Sequence, residues 1–231
     1  MKIRGLELKN TPRIVGVLTA PIVSRDILIA QRDGAHMVEI RLDSFKKSEL
    51  DDTDKMVDNF KAYRRHGSPI ILTIRKKSEG GMIELTPVER KKLFKALIPY
   101  SDAVDIEISS GSLVKDVVAE ARKHDKKVIM SFHDFKSTPD DKKLMEVVKK
   151  AQKSKADMVK IATNVRTQED LRSLGRVLLK EEDIIVIGMG KKGVATRTLF
   201  PILGSLLTYG TIGASTAPGQ LSVKDLKKAF S

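Results

Sequence analysis

One rhythm repeats along the whole chain: a short apolar segment, a polar loop, then a stretch of helical period, eight times over. The strand-like segments are Ile14–Thr19, Met37–Leu42, Ile70–Arg75, Ala103–Ile108, Val128–Phe132, Met158–Ala162, Ile184–Gly188 and Leu206–Gly210. Strands that alternate with helices pair in parallel through right-handed crossovers, since each helix must pack back across the sheet before the next strand joins it. Eight such units predict a closed (β/α)8 TIM barrel rather than an open doubly wound sheet. No Gly-x-Gly-x-x-Gly follows the first strand, which weakens a dinucleotide-binding alternative. Helix starts are readable. Thr86-Pro87-Val88-Glu89 offers a hydroxyl N-cap, proline at the first helical position and a capping-box glutamate. Thr138 with Asp141 and Thr167 with Asp170 repeat the idea, while Gly34 and Gly67 stand where helices should stop. There is no low-complexity linker, so residues 1–231 are expected to form one barrel domain.

Polar residues punctuate these otherwise apolar strands with a period of two. In Val38-Glu39-Ile40-Arg41-Leu42-Asp43 the apolar residues share one face, so packing them on the helices turns Glu39, Arg41 and Asp43 into the barrel. The same parity sends Thr73 with Arg75, Asp105 with Glu107, Ser131 with His133, and Lys160 with Ala162 inward. Buried charge is costly unless paired, and these residues fall at the C-terminal strand ends, where barrels carry their active sites. A buried ion-pair network that merely closes the barrel mouth is the alternative. Lys160 is the most informative residue, because a closed barrel offers no sheet edge along which it could reach water. Apolar walls and neighbouring cations would lower its pKa and make the amine a nucleophile toward carbonyls. His133 shares the predicted mouth and titrates in the range useful for proton transfer, whereas Asp134 is expected only to cap a turn. After the seventh strand, Gly188-Met189-Gly190-Lys191-Lys192-Gly193 and then Arg197 could cradle an anion. The small, polar segment from Thr211 to Gln220 suits a lid.

Composition removes several classes. With no cysteine there is neither a disulfide framework nor a thiolate metal site. No apolar run approaches the ~20 residues that span a bilayer, and no apolar segment follows the basic N-terminus as in a secretory signal. A soluble cytoplasmic protein without membrane partners is expected. The net charge of +13 comes from lysine pairs scattered among acids, which reads as solvated helix faces rather than a nucleic-acid stripe. Aromatic content of 4% also leaves few stacking platforms for single strands.

These residues, taken in order, resemble the type I 3-dehydroquinate dehydratase family. Glu39-Ile-Arg41-Leu-Asp43 looks like its Glu-x-Arg-x-Asp strand, and Arg75 with Glu79-Gly80-Gly81 looks like its Arg followed by Glu-Gly-Gly. Ser131-Phe-His133-Asp-Phe and Ala156-Asp-Met-Val-Lys160-Ile-Ala resemble the segments around the family's catalytic histidine and Schiff-base lysine. Met189-Gly190 through Arg197, and Ala217-Pro-Gly-Gln220, resemble its seventh- and eighth-loop motifs. The resemblance implies Lys160, His133 and Glu79 as catalytic residues, with Lys160 attacking the C3 ketone of 3-dehydroquinate and Glu79 supporting His133. It implies substrate contacts from Glu39, Arg41, Arg75, Met189, Arg197, Thr216 and Gln220, with Arg197 on the substrate carboxylate. It implies no metal and no organic cofactor, and a homodimer. Thr216, preceded by Ser215, departs from the family's Ser-Ala-Pro-Gly-Gln, and Met1–Pro12 is short for the hairpin some members carry beneath the barrel. The nearest rival is a class I aldolase acting on a phosphorylated sugar, which shares lysine and fold but has no use for the Glu-x-Arg-x-Asp and Ala-Pro-Gly-Gln segments.

Overall fold

The strand segments become an eight-stranded parallel sheet that curls into a nearly closed barrel, in a computed structural model describing residues 1–22, 24–212 and 219–231. A two-stranded antiparallel hairpin comes first, with strands β1 (Lys2–Ile3) and β2 (Leu6–Glu7). The barrel strands are β3 (Ile14–Leu18), β4 (Met37–Arg41), β5 (Ile70–Thr73), β6 (Ala103–Glu107), β7 (Lys127–Asp134), β8 (Met158–Asn164), β9 (Ile184–Met189) and β10 (Thr208–Thr211). From β3 to β9 each strand pairs in parallel with the next, and β10 pairs in parallel with β3, which leaves a seam between β9 and β10. The helices around the outside are α1 (Ser24–Asp33), α2 (Lys47–Asp51), α3 (Thr53–Arg64), α4 (Pro87–Leu97), α5 (Leu113–Lys123), α6 (Asp141–Lys153), α7 (Gln168–Lys180), α8 (Thr196–Ile202) and α9 (Val223–Ala229).

Parity divides the apolar residues into two clusters. Val38, Ile40, Leu72, Val104, Ile106, Val128, Met130, Val159 and Ile161 pack outward against the helices. Val15, Met37, Ile71, Ala103, Ile129, Met158, Ile185 and Leu207 fill the lower barrel interior. The α5 helix shows why the outer layer forms, since its buried residues Leu113, Val114, Val117, Val118 and Ala121 make one stripe at helical spacing. The hairpin stops the barrel floor with Ile3 and Leu8, both buried in the inner cluster. Met1–Pro12 is thus long enough for a hairpin after all, because Arg4 and Gly5 both take positive φ and turn the chain in two residues.

Most strand ends shift by one or two residues from their sequence expectation, and two differences have a readable cause. The predicted last strand starts at Leu206, but β10 begins at Thr208. Leu206 N–H instead donates to Ile184 O at 3.0 Å, and the Ser205 hydroxyl accepts from Val186 N–H, so this stretch bridges the seam between β9 and β10. Thr86 and Thr167 cap α4 and α7 with full capping boxes. Thr138 does not cap α6: Asp140 does, accepting from Lys143 N–H, while the Thr138 hydroxyl bonds to Thr163 Oγ1 and to Asn164 O at the top of β8.

Candidate active site

The inward positions change from apolar to charged as the strands climb. On β8, Met158 belongs to the lower cluster and Lys160, two residues on, to the mouth; on β4 the sequence runs Met37, Glu39, Arg41. Lys160 is 4% exposed. Its ammonium nitrogen lies 3.1 Å from Asp105 Oδ2, 3.6 Å from Glu39 Oε1 and 3.9 Å from the centroid of the Tyr209 ring. The cation-rich surroundings expected from the sequence are corrected here, because its nearest charged neighbours are carboxylates on β4 and β6. Glu39 is fixed in turn by the Thr73 hydroxyl, which donates to it at 2.9 Å.

Beside the lysine runs a buried ionic network. Arg75 Nη1 meets Asp105 and Glu107, each at 2.9 Å, and donates to the Ser131 hydroxyl, which donates to Asp105. Glu107 also pairs at 2.6 Å with Arg90, which reaches it from α4. Burial pushes the Asp105 and Glu107 carboxyls up, but Arg75 with Lys160, and Arg75 with Arg90, outweigh it and hold both below the usual carboxylate range. Arg41 grips both oxygens of Asp43, at 2.9 and 2.7 Å. The same carboxylate accepts from Arg75 N–H and Met82 N–H, so it ties the end of β4 to the loop after β5. That loop folds back tightly: a Cβ on Gly81 would stand 2.2 Å from the Arg75 carbonyl oxygen.

His133 ends the inward row of β7. Glu79 Oε2 accepts from His133 N–H at 3.0 Å and lies 3.2 Å from its Nδ1, while the Ser109 hydroxyl donates to the other carboxylate oxygen. Burial, then the charges of Arg75 and Lys160, lower the His133 pKa well below that of a free imidazole. Burial raises the Glu79 carboxyl. Both shifts disfavour an imidazolium–carboxylate ion pair, leaving a neutral ring whose Nδ1–H donates to Glu79 and whose Nε2 is the basic nitrogen. Phe135 stacks on this ring at 6.5 Å and 17°. Asp134 accepts from Lys136 N–H and Ser137 N–H and so caps the following turn, as the sequence suggested.

Arg197, the second residue of α8, is 3% exposed. Its Nη1 donates to Tyr209 O at 3.3 Å, its Nε has no hydrogen-bond partner among the described residues, and burial lowers its pKa to about 10. A desolvated guanidinium with an unused donor is suited to an anionic ligand. Lys191 and Lys192 are exposed, and Lys192 donates to Arg166 O, so the glycine-rich stretch directs these lysines outward. Glu39, Arg41, Arg75, Glu79, His133, Lys160, Met189, Arg197 and Gln220 all line one cleft. Thr216 lies outside the described residues.

A family model described as type I 3-dehydroquinase matches residues 17–231. The chain belongs to the type I 3-dehydroquinase family. It is 34% identical over 231 residues to the 3-dehydroquinate dehydratase of Methanococcoides burtonii, covering 100% of this chain and 98% of that one. Its fold is similar to the crystal structure of 3-dehydroquinate dehydratase from Geobacillus kaustophilus, with a TM-score of 0.93, 26% identity, and coverage of 100% and 94%. It is also similar to type I 3-dehydroquinate dehydratase from Clostridium difficile with covalently modified comenic acid, at TM-score 0.88, 26% identity, and coverage of 100% and 95%. Dihydropteroate synthase from Thermus thermophilus shares the barrel alone, at TM-score 0.60 and 15% identity.

Within this type I dehydroquinase, one cleft residue and two residues supporting the cleft escaped the sequence reading. Tyr209 sits in a strand read as merely apolar; its parity with Leu207 was the available signal. Arg90 occupies the apolar stripe of α4 with Leu93, Phe94 and Leu97, and a charge in such a stripe marks a buried partner. Ser109 gave no signal, because its role depends on how the β6 loop meets the Glu79 turn.

Proposed function

We propose that this chain is a 3-dehydroquinate dehydratase acting through a Schiff base on Lys160, and so serves the shikimate route to aromatic amino acids. The observation that carries the reading is a buried lysine and a histidine in one cleft with an under-satisfied arginine. Family membership and the printed activity of its relatives support the substrate, and the covalently modified ligand of the Clostridium difficile structure supports covalent chemistry. Lys160 attacks the C3 ketone, and loss of water gives an iminium that acidifies the C2 protons. His133 removes one of them, leaving an enamine. The enamine expels the C1 hydroxyl, which leaves as water with the proton returned by His133. Hydrolysis of the product imine then releases 3-dehydroshikimate and frees Lys160, again with His133 assisting. Glu79 keeps the imidazole in the tautomer that presents Nε2.

Arg197 receives the substrate carboxylate, while Glu39, Arg41 and Arg75 address the ring hydroxyls and Met189 packs against the ring. Gln220 adds a further substrate contact from the same cleft, a role the family resemblance also implies for Thr216. The reading calls for no metal or organic cofactor. We further propose a cytoplasmic homodimer, for which the exposed Leu179, Leu199, Ile202 and Leu203 offer an apolar surface; light scattering on the purified chain tests the dimer. Incubation with 3-dehydroquinate tests the activity, because the product is a conjugated enone with its own ultraviolet absorbance. Growth of that absorbance is the expected result, and its absence under conditions where the chain is folded contradicts the reading.

A further inference from the structure

Two polar side-chain atoms in the cleft walls are buried without a hydrogen-bond partner among the described residues: Arg197 Nε and the Tyr209 hydroxyl. The arginine has a use in the substrate carboxylate. The phenol has none in the chemistry described so far. Leaving a buried hydroxyl unpaired is unfavourable, and an inward tyrosine where phenylalanine would fill the same space needs a reason.

We propose that Tyr209 is a further catalytic residue, whose hydroxyl donates a hydrogen bond to the oxygen on the carbon that Lys160 attacks. The proposal rests on the Schiff-base reading above. Lys160 Nζ lies over the Tyr209 ring, 3.9 Å from its centroid. A carbon bonded to that nitrogen therefore arrives beside the same ring, and its oxygen comes within reach of the phenol. The oxygen begins as a carbonyl, gains charge as the nitrogen adds, and becomes the hydroxyl of a carbinolamine. A donor held ready at that point stabilises the developing charge without reorganisation.

Burial, then the nearby carboxylates of Glu39 and Asp105, push the phenol pKa well above its usual value. Tyr209 therefore keeps its proton and acts only as a donor. Counted from the ammonium form of Lys160, the nitrogen–carbon bond forms and the carbon–oxygen bond breaks. Two nitrogen protons then end in the departing water and one stays on the iminium. His133 carries the protons across, and the aromatic face of Tyr209 stays against a nitrogen that finishes as a cation.

Tyr209→Phe separates the hydroxyl from the ring, since it keeps the aromatic face and removes the unpaired atom. The experiment is rapid mixing of wild type and variant with 3-dehydroquinate, quenching into borohydride, and counting reduced adduct on Lys160 against time. The variant should form the same adduct roughly ten-fold more slowly, the scale of one lost hydrogen bond. Its pre-formed imine should dehydrate at the wild-type rate, and its thermal midpoint should be equal or higher. Adduct formation at the wild-type rate overturns the proposal while leaving the Schiff base intact. So does equal slowing of adduct formation and dehydration together with a lower midpoint, the mark of a merely structural role. Wild type that gives no adduct on Lys160 overturns the Schiff-base reading, and this proposal with it.

Discussion

At the scale of single residues, the cleft separates charge by what each side chain can pair with. Lys160 has two carboxylates and an aromatic face, whereas His133 has burial and the cations Arg75, Lys160 and Arg41 working against its protonation. Its lowered pKa has a definite sign. An unfolded histidine takes up a proton as pH falls through ~6.5, while His133 in the folded protein does not. Its contribution to stability is present above that pH and declines below it. If His133 is the base, the acid limb of kcat/KM should lie below the ordinary histidine range. An initial-rate profile with that limb at or above pH 6.5 contradicts the assignment. His133→Ala should still form some imine yet lose dehydration by ~10²–10⁴-fold; full turnover in that variant also counts against the base. Lys160 and His133 were legible in sequence because each breaks an apolar run at an inward parity. Their supports were less so: Ser109, which donates to Glu79, and Tyr209, under Lys160, acquire meaning only when distant segments are brought together.

At the scale of elements, strand parity carried nearly all of the fold. The polar and apolar faces read from Glu39-Ile40-Arg41 and Asp105-Ile106-Glu107 are, in that order, the inner and outer faces of the barrel. What parity could not supply was the third dimension of a loop or helix end. The α6 cap moved from Thr138 to Asp140 because Thr163 and Asn164, close to Thr138 only in the fold, take its hydroxyl. Helix α4 is joined to the site by one buried pair, Arg90 with Glu107, which also braces Arg75. Glu107→Ala leaves the Arg90 charge buried without its carboxylate. It should cost about 3–5 kcal/mol of stability, read as a lower urea midpoint. A stability loss under about 1 kcal/mol would mean that water or Asp105 replaces Glu107.

At the scale of the whole molecule, the charge of +13 is spread over helix faces where many bases already have acidic neighbours. Arg176 holds Asp141 and Glu169, Lys143 holds Glu146, and Lys91 holds Asp116. Such exposed pairs add little stability each. Their surplus positive field still attracts an anionic substrate over a Debye length of ~10 Å at 0.1 M salt. Raising salt should therefore lower kcat/KM several-fold and leave kcat nearly unchanged, because the charges lining the cleft are buried and poorly screened. Initial rates across a sodium chloride series check this, and an unchanged kcat/KM removes the steering role. Composition alone could not reveal the inward carboxylates, since their count is hidden among the surface acids.

Catalysis as proposed depends on a covalent bond between Lys160 and the ketone carbon of 3-dehydroquinate. Incubating the chain with that ketone and borohydride, followed by peptide mass mapping, tests it most directly. A reduced adduct on Lys160, lost in Lys160→Ala, is the predicted result; an adduct on another lysine, or none at all, contradicts it.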